Sequence, residues 1–497
     1  MKEEKRFPLV RMLFAFCGWI ALATSGCMVG PDFHPPHPDA PSGWVGVAEA
    51  PAGQPFVPTP GPAELTQWWK QFDDPMLTQL IEDALKANLD VKLAVASLRQ
   101  ARAAQGIAVG ALFPSLDVSA TYQRETSVPV NSKSGSAAQD FYHAGFDAAW
   151  ELDVFGGQRR AVESAKANTQ AAIEGIKGAQ ISLVAEVALD YIQLRGYQLQ
   201  IAVAQNNLKA MRNTVSITRQ KSGAGFDSEL DIANAEANVA TTEAQIPVLE
   251  TSARQSIYAL SVLLARPPAD LLEQLTPTGN IPSVPAQIPA GLPSDLLRRR
   301  PDISQAEAQL HAATAQIGVA TADLFPKFSL TGTLGVQSDQ LKALTSSAGR
   351  IYSGGPSVTW AIFQGGAIVS NIRLQEALRD QSFINYQKSV LTAFQDVENA
   401  LIAFNKEQQH NKSLTDSVKA NTKAVDLSIK LYTGGLIEFL NVLVAQSSLY
   451  TAQNALAQSS SNIATDLVAL YKALGGGWEI SDYDGQTVTT TTGDAGN

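Results

Sequence analysis

The side chains that most often carry metal or cofactor chemistry are few in this sequence and widely spaced. There are two cysteines, Cys17 and Cys27, and five histidines that follow no metal-ligand spacing. The histidines are His34, His37, His143, His311 and His410. Zinc and iron–sulfur sites need clustered Cys or His ligands, so the sequence predicts no metal site and no cofactor.

The sequence also lacks the common catalytic motifs. The chain has no G-x-S-x-G, H-E-x-x-H or phosphate-loop pattern, and Gly223-x-Gly225-x-x-Ser228 is only an incomplete dinucleotide motif. With 37 basic against 47 acidic side chains and a net charge of −10, the chain is too acidic to favour a phosphate backbone. We therefore expect neither an enzyme nor a nucleic-acid-binding protein.

One cysteine, Cys27, has an informative setting. A basic start, the apolar run 12–23 and then Thr24-Ser25-Gly26 are typical of a secretory signal that ends at Cys27. Small residues directly before a cysteine resemble a bacterial lipoprotein cleavage site, so we expect residues 1–26 to be a lipoprotein signal peptide and Cys27 to be acylated. Met28 in the next position favours sorting to the outer membrane. The alternative is ordinary signal cleavage that leaves Cys27 as a free thiol.

Two proline clusters divide the rest of the chain. Ten prolines lie between residues 31 and 62 and seven between 267 and 293, and both stretches should be extended because proline fixes φ and lacks an N–H. After the signal peptide we expect a lipid-anchored, Pro-rich arm at 27–73, a first repeat at 74–267, a Pro-rich equatorial linker at 268–292 and a second repeat at 293–475. We expect residues 476–497 to be an equatorial tail that becomes disordered after Trp478.

The two repeats are similar in sequence over most of their length. At an offset of 212, Asp90-Val91 aligns with Asp302-Ile303 and Leu112-Phe113-Pro114 aligns with Leu324-Phe325-Pro326. At an offset near 210, the matching positions are Trp150 with Trp360, Gly225 with Gly435, Leu230 with Leu440 and Ala235 with Ala445. Each repeat is therefore expected to be one duplicated structural unit.

Within each repeat the hydrophobic period changes from that of a helix to that of a strand. Residues 74–112 and 293–324 are rich in Ala, Leu, Gln and Arg and predict helices that end at Phe-Pro. Alternating apolar and polar residues then predict four strands, at 116–123, 142–153, 328–337 and 357–362. Their length suits tilted membrane-spanning strands. The alternative is a pair of half-buried hairpins in a soluble α+β domain.

Long helices follow the strands. Residues 157–223 and 366–434 contain no proline and would each form a helix roughly 100 Å long. Residues 226–265 and 436–474 predict helices of roughly 60 Å after glycine turns. We expect a rod of antiparallel helices with four strands at one end, long enough to cross a periplasm.

Four strands could not remain open in lipid, because every unpaired backbone group at a sheet edge would cost several kcal/mol. A dimer would close eight strands around a side-chain-filled interior, whereas a trimer would close twelve around an aqueous lumen. The expected lumen residues are Asp117, Ser119, Thr121, Gln123, Ser329, Thr331 and Thr333. We therefore expect a homotrimeric conduit.

Three motifs resemble one known family. Cys27-Met28-Val29-Gly30-Pro31-Asp32-Phe33 is similar to the lipidated start of TolC-like outer-membrane efflux factors of the NodT type, lipoprotein subunits of RND efflux systems. Leu296-Leu297-Arg298-Arg299-Arg300-Pro301-Asp302-Ile303 resembles the start of that family's second repeat. Tyr432-Thr433-Gly434-Gly435, with Leu440-Asn441-Val442-Leu443 after it, resembles its periplasmic helix turn.

The resemblance implies an α+β membrane protein. Three copies would form a 12-stranded transmembrane β-barrel, continued by a long periplasmic α-helical barrel with an equatorial belt built from 268–292 and the region after Leu474. The implied partners are outer-membrane lipid, a periplasmic adaptor (membrane fusion protein) and an inner-membrane RND-type pump. The implied function is an outer-membrane exit duct that passively conducts drugs or other small toxic solutes.

The resemblance also assigns site residues. Gly223, Gly225, Gly434 and Gly435 would form the periplasmic tip turns that dock the adaptor. Asp231, Leu440, Asn441 and Val444 would form the entrance constriction. Relatives often carry Asp where this chain has Asn441 and Val444, so we expect a closed entrance here to depend on Leu440 and Val444 packing rather than on a carboxylate ring.

Two alternatives to solute efflux stay open at this point. An exit duct of the same fold could serve type I protein secretion or heavy-metal efflux, and the sequence does not distinguish these cargoes. A structural lipoprotein that uses the rod as a periplasm-spanning spacer would need no lumen.

Overall fold

The computed structural model describes residues 28–48, 56–57, 65–127, 137–285, 288–289 and 292–478. The predicted signal peptide, Cys27 and residues 479–497 of the predicted tail lie outside these residues. The described chain divides into two compact units. The sheet unit contains residues 28–37, 97–173 and 305–387, and the helical unit contains the other described residues.

Long helices and one four-stranded sheet account for most of the described chain. The longer helices are α1 (Pro75–Ala87), α2 (Leu89–Gly110), α3 (Gly157–Gly223), α4 (Glu229–Leu263), α5 (Pro301–Ala322), α6 (Ala367–Thr433) and α7 (Phe439–Ala473). The strands of the sheet are β1 (Ser115–Ser127), β2 (Ala137–Leu152), β3 (Lys327–Ser338) and β4 (Arg350–Thr359). Short helices cover Val45–Ala48, Leu272–Leu275 and Pro293–Arg299, and 3₁₀ turns cover Trp68–Phe72, Leu341–Thr345 and Ser347–Gly349. A two-residue parallel pair joins Phe56–Val57 to Ile288–Pro289. The two longest helices have 67 residues each, at the predicted positions to within one residue.

The helix predicted before each pair of strands is broken once, at corresponding positions in the two repeats. Asn88 interrupts the first, where its Oδ1 accepts hydrogen bonds from the N–H groups of Asp90 at 2.8 Å and Val91 at 3.0 Å and so caps α2. Arg300 interrupts the second, because Pro301 excludes the helical conformation at the preceding residue and Arg300 has ψ 118°. The prediction of a single continuous helix was wrong at both places.

The sheet unit contains one antiparallel sheet in the order β1-β2-β3-β4. Asp147 of β2 pairs with Asp117 of β1 on one side and with Thr333 of β3 on the other. Ser329 of β3 pairs with Ser357 of β4. Directly paired residues share a face, so this register places the polar alternate residues on one face and the apolar ones on the other.

The apolar face of the sheet is exposed in the single chain. Its exposed large side chains include Leu116, Val118, Phe146, Leu334, Tyr352 and Val358. The predicted alternation continued through residue 362, but β4 ends at Thr359. It ends there because Thr359 pairs with Lys327, the first residue of β3, so β3 has no residue left to pair with the next one.

The duplication extends to individual contacts. The Trp150 indole Nε1 donates to the Leu112 carbonyl at 2.9 Å, and the Trp360 Nε1 donates to the Leu324 carbonyl at 3.0 Å. In each repeat the residue just before the long helix is a glycine with positive φ, 80° at Gly156 and 86° at Gly366. The two repeats therefore share one local structure at the junction of strand and helix.

Aromatic side chains form part of the core of the helical unit. Trp68 is buried and its ring stacks on that of Tyr471, with centroids 5.1 Å apart. The Tyr471 hydroxyl donates to Oε1 of Gln71 at 2.7 Å. Arg195 of α3, also buried, donates to the Pro277 carbonyl at 2.9 Å and holds the start of the Pro-rich linker against α3.

Candidate functional site: the helix turns and the polar face of the sheet

Each repeat contains a tight turn between its long helix and the following one. The first turn (residues 221–228) joins α3 to α4, and the second turn (residues 431–438) joins α6 to α7. The Phe226 N–H donates to the Lys221 carbonyl, and the Leu436 N–H donates to the Leu431 carbonyl, both at 2.9 Å. These are the six-to-one hydrogen bonds of the Schellman motif, which ends a helix through a residue with positive φ.

Glycine supplies the positive φ in both turns. Gly225 has φ 80° and Gly435 has φ 74°. Gly223, the last residue of α3, and Gly434, the first residue after α6, do not have positive φ. The backbone requirement therefore applies to one glycine in each turn, because a side chain at Gly225 or Gly435 would be strained.

Tyr432 joins the two turns. Its ring is buried with Val215, Ala235, Phe439 and Val442, in a cluster drawn from both repeats. Its hydroxyl donates a hydrogen bond to the Asp227 carboxylate. From the first turn, the Lys221 ammonium lies 3.9 Å from the centroid of the Tyr432 ring and donates to the Tyr432 carbonyl at 2.6 Å. One side chain of the second repeat is thus held by two charged residues of the first.

Burial, and then the hydrogen bond to Asp227, raise the pKa of Tyr432 to about 12, so its hydroxyl keeps the proton that it donates. Neither Asp227 nor this hydrogen bond was predicted from the sequence. A difference between the repeats could have indicated both. Where the first repeat has Lys221 and Asp227, the second has Leu431 and Ile437. These two charged side chains therefore have no charged counterparts in the second turn.

Among the predicted entrance residues, Asp231 caps a helix. Its carboxylate accepts from the N–H of Ser228 at 3.1 Å and from the Ser228 Oγ at 2.7 Å. The Ser228 Oγ in turn accepts from the N–H of Asp231, which completes a capping box at the start of α4. In the second turn Glu438 and Asn441 replace this pair, and the Glu438 side chain forms no cap.

The other predicted entrance residues lie on the exposed side of α7. Leu440 and Val444 are 58% and 57% exposed, one helical turn apart, while Val442 between them is buried. Asn441 is exposed and its Nδ2 donates to the Glu438 carbonyl at 3.3 Å. Between the two turns lies a cleft of about 1070 Å³, lined by residues that include Phe226, Asp227, Leu436 and Leu440.

The polar face of the sheet is the second candidate region. Asp147 lies near its centre and accepts hydrogen bonds from the Ser119 Oγ at 2.6 Å and the Thr333 Oγ1 at 2.9 Å. One carboxylate therefore ties together β1, β2 and β3. The residues predicted to line the lumen all fall on this face: Asp117, Ser119, Thr121, Gln123, Ser329, Thr331 and Thr333. Asp147 was not among the predicted lumen residues, because its role depends also on Thr333, which lies 186 residues away.

The segment just after Cys27 is clamped in the sheet unit. The Val29 N–H donates to the Phe155 carbonyl at 3.1 Å, and the Met28 side chain packs on Gly156. Arg160, 2% exposed, donates to the Val29 carbonyl at 3.1 Å and to Asp32 at 2.6 Å. The hydrogen bond from Arg160 lowers the pKa of Asp32, so this ion pair persists at neutral pH. Cys27 itself lies outside the described residues.

Two features are absent from the described residues. No three His, Cys, Asp or Glu side chains in this part of the chain are grouped so that they could hold a metal ion. Over the same residues, no helix combines the length and the hydropathy needed to cross a membrane.

Comparisons with known proteins agree with these features. The family model described as "Outer membrane efflux protein" matches residues 80–266 and 292–476. The chain is 31% identical over 465 residues to Nodulation protein T of Rhizobium leguminosarum bv. trifolii, covering 93% of this chain and 96% of the relative. It is 33% identical over 473 residues to the antibiotic efflux pump outer membrane protein ArpC of Pseudomonas putida, covering 92% of this chain and 94% of the relative.

Solved channel structures share the fold. The outer-membrane channel OprN is 36% identical, with a TM-score of 0.84 over 91% of this chain and all of that one (100%). The Campylobacter jejuni CmeC outer membrane channel is 25% identical, with a TM-score of 0.83 over 92% of this chain and 96% of that one. The predicted resemblance and fold class are thereby confirmed. The chain belongs to the outer membrane efflux protein family, and its place is the outer membrane, as a component of an efflux system.

Proposed function

We propose that three copies of this chain form the outer-membrane exit duct of a tripartite efflux pump, through which drugs or other small toxic solutes leave the periplasm passively. The observation that carries the proposal is the sheet with one polar and one apolar face, in a chain that belongs to this family. An apolar outer face suits lipid, and a polar inner face suits water.

The sheet edges support three copies. Among the described residues β1 pairs only with β2, and β4 only with β3, so each edge strand leaves a row of backbone groups without a partner strand in this part of the chain. In hydrocarbon each such group costs several kcal/mol, and closure removes the cost. Three copies supply twelve strands, enough for a water-filled lumen lined by Asp117, Asp147 and Thr333.

The two turns support the docking of a periplasmic adaptor, which would connect the duct to an inner-membrane RND-type pump. Phe226 and Leu436 are exposed at the ends of the turns, around the cleft described above. Exposed apolar side chains that are grouped around one cleft suit a protein contact. In this proposal Gly225 and Gly435 hold the turns in shape for the adaptor, and Leu440 and Val444 narrow the entrance.

Acylation of Cys27 would add a lipid anchor to each copy. The clamp of Arg160 on Val29 and Asp32 supports it, because the backbone next to Cys27 is already fixed to the sheet unit. Mass spectrometry of the purified protein would test this proposal. A mature N-terminus at Cys27 that carries acyl chains is expected, and an unmodified thiol there would contradict it.

Conductance tests the duct itself. Purified protein in planar bilayers should give discrete channels whose current scales with salt, whereas a structural spacer would give none. In cells, deletion of this gene should sensitise the host to a panel of toxic compounds, and deletion of the partner pump should sensitise it to the same compounds. Sensitivity confined to metal salts, or loss of a secreted protein, would instead assign the duct to the alternative cargoes.

A further inference from the structure

We propose that a cavity in the helical unit binds a small amphiphilic organic cation, that is, a positively charged group attached to an apolar or aromatic body. The cavity has a volume of about 580 Å³ and lies where α3, α6, the end of α7 and the start of α5 meet. All of its lining residues belong to the helical unit. The inference names a solute class for the proposed duct. Its role in efflux rests on the proposed function, whereas the site itself is testable separately.

The size and the lining of the cavity suit an organic ligand. Pockets for small molecules usually measure about 300–1,000 Å³ and have mainly apolar walls with a few polar groups that orient the ligand. The apolar side chains here come from three helices: Ile181 of α3, Ala400 and Ala403 of α6, and Ala469 and Ala473 of α7. The cavity is open to solvent, because the Asp302 and Asp396 side chains in its lining are partly exposed. A small solute can therefore enter it.

One group of charged side chains in the lining is already paired. Arg300, with a side chain 12% exposed, donates to Asp302 Oδ2 at 2.7 Å and to Asp396 Oδ2 at 2.9 Å. It also donates to the Ala473 carbonyl at 3.3 Å, which ties the start of α5 to the end of α7. These hydrogen bonds hold this part of the wall in place without a ligand. Because one guanidinium balances two carboxylates, the group keeps a net negative charge.

Asp466 supplies an unpaired carboxylate. Its side chain forms no hydrogen bond or ion pair with the described residues. Burial, with a contribution from Glu407, raises the pKa of Asp466 to about 6, so the carboxylate is mainly ionised at pH 7.5. Lys472 also lines the cavity, but six residues along α7 place it about 120° around the helix axis and about 9 Å further along. An ionised carboxylate in a half-buried, apolar setting attracts a cationic ligand.

An open glycine leaves room for the ligand. Gly178 of α3 lines the cavity, and a Cβ added there would have no atom of the described chain within 4 Å. Helix propensity does not account for this residue, because glycine is unfavourable inside a helix. The counterpart of Gly178 in the second repeat is Lys388, and the counterpart of Asp466 in the first is Ser256. The open space and the carboxylate are therefore specific to this cavity and do not follow from the duplicated fold.

A metal ion suits the cavity less well than an organic cation. In the part of the chain that the structure describes, no three His, Cys, Asp or Glu side chains are placed to ligate one together. Hard cations need six or more oxygen ligands around them, whereas apolar side chains form much of this wall. The wall therefore favours a cation that carries its own apolar surface.

Fluorescence anisotropy of ethidium, an aromatic organic cation, tests the site with the full-length protein in a non-ionic detergent at pH 7.5. We expect one saturable site per copy. Phenanthridine, the uncharged parent ring system, should compete about tenfold more weakly. Asp466→Asn should lower the ethidium affinity about tenfold, because it removes the charge and keeps the size of the side chain. Asp416→Asn, at an exposed site of α6 outside the cavity, is the matched control and should leave the affinity unchanged.

Two further variants separate the contributions of space and charge. Gly178→Leu places a side chain in the cavity without changing any charge, and should lower the ethidium affinity about tenfold. Lys472→Gln removes a positive charge from the lining and should raise the affinity about threefold. Thermal unfolding of each variant checks that it is folded.

Absence of saturable ethidium binding by the unmodified protein would overturn the site, as would equal affinities of Asp466→Asn and its control. Tighter binding of the anion 1-anilinonaphthalene-8-sulfonate, lost in Lys472→Gln, would overturn the ligand class. Conductance in planar bilayers separates this inference from the proposed duct. Channels without ethidium binding would overturn only the site, whereas ethidium binding without channels would overturn only the duct.

Discussion

The two repeats have the same fold, but they differ in which of their surfaces are buried within the chain. In the first, the long helix α3 is covered at its start by α5, whereas α6 of the second is bare over the same length. The first turn has a capping box and the second has none. The comparison indicates that a duplicated unit can satisfy half of its contacts inside the chain and reserve the other half for further copies.

Replacing the two corresponding glycines should separate folding from assembly, with the largest expected effect. Gly318→Leu places a side chain against Arg160 and should lower the free energy of unfolding of a single copy by about 1–3 kcal/mol. A Cβ at Gly106 meets no described atom of its own chain within 4 Å, so Gly106→Leu should raise that stability by up to about 1 kcal/mol through helix propensity. It should lower the trimer fraction at least tenfold, because the exposed α2 would contact a neighbouring copy in the proposed trimer. Native mass spectrometry and thermal unfolding measure the two quantities. Equal effects of both variants on assembly would remove the distinction.

Removal of the hydrogen bond between Tyr432 and Asp227, which joins the two repeats, should have the next largest effect. Tyr432→Phe removes the hydroxyl that Asp227 accepts from, and should lower the free energy of local opening at the turns by about 1–3 kcal/mol. Hydrogen exchange of the amides in residues 221–228 and 431–438 measures this opening. Tyr450→Phe on α7, remote from Asp227, is the control. Unchanged exchange in Tyr432→Phe would mean that the packing of the ring alone holds the turns.

The difference in capping can be exchanged between the turns. Ser228→Ala should destabilise the start of α4 by about 1 kcal/mol. The double variant Glu438→Ser with Asn441→Asp writes the capping box into the second turn and should stabilise the start of α7 by a similar amount. Amide exchange at the first turn of each helix gives both values. No gain in the double variant would show that the second turn cannot adopt the box geometry.

A half-buried carboxyl without a counterpart in the other repeat gives the smallest effect. Asp466 of α7 corresponds to Ser256 of α4, and burial, with a contribution from Glu407, raises its pKa to about 6. Because the folded-state pKa lies above the unfolded value of 3.8, its stabilising contribution is complete below pH 4 and is lost as the pH rises through 6. After allowance for solvent screening, Asp466→Asn should raise stability at pH 7.5 by about 1 kcal/mol or less and flatten the pH profile between 4 and 7. Thermal unfolding across that range, against Asp416→Asn at an exposed site of α6, checks it.

Periodicity predicted most of the fold, because the properties it depends on are local. The ends of α3 and α6, the two faces of the sheet and the duplication all follow from residue type and spacing. The helix breaks at Asn88 and Arg300 were missed because one depends on a side-chain cap and the other on a proline inside a helical composition. The Tyr432–Asp227 hydrogen bond was missed because it joins residues 205 apart, and no spacing rule connects them.

If Cys27 is acylated as proposed, the Arg160 clamp limits how a single copy can move at the membrane before it assembles. Val29 is tied to Phe155 and Arg160, so only Met28 separates a fixed backbone from Cys27. Acyl chains on Cys27 would be connected to the sheet unit by only one or two residues, about 4–7 Å of backbone. A single copy could then neither rotate freely nor move away from the lipid surface. Its encounters with other copies would take place in two dimensions, already at matching depth.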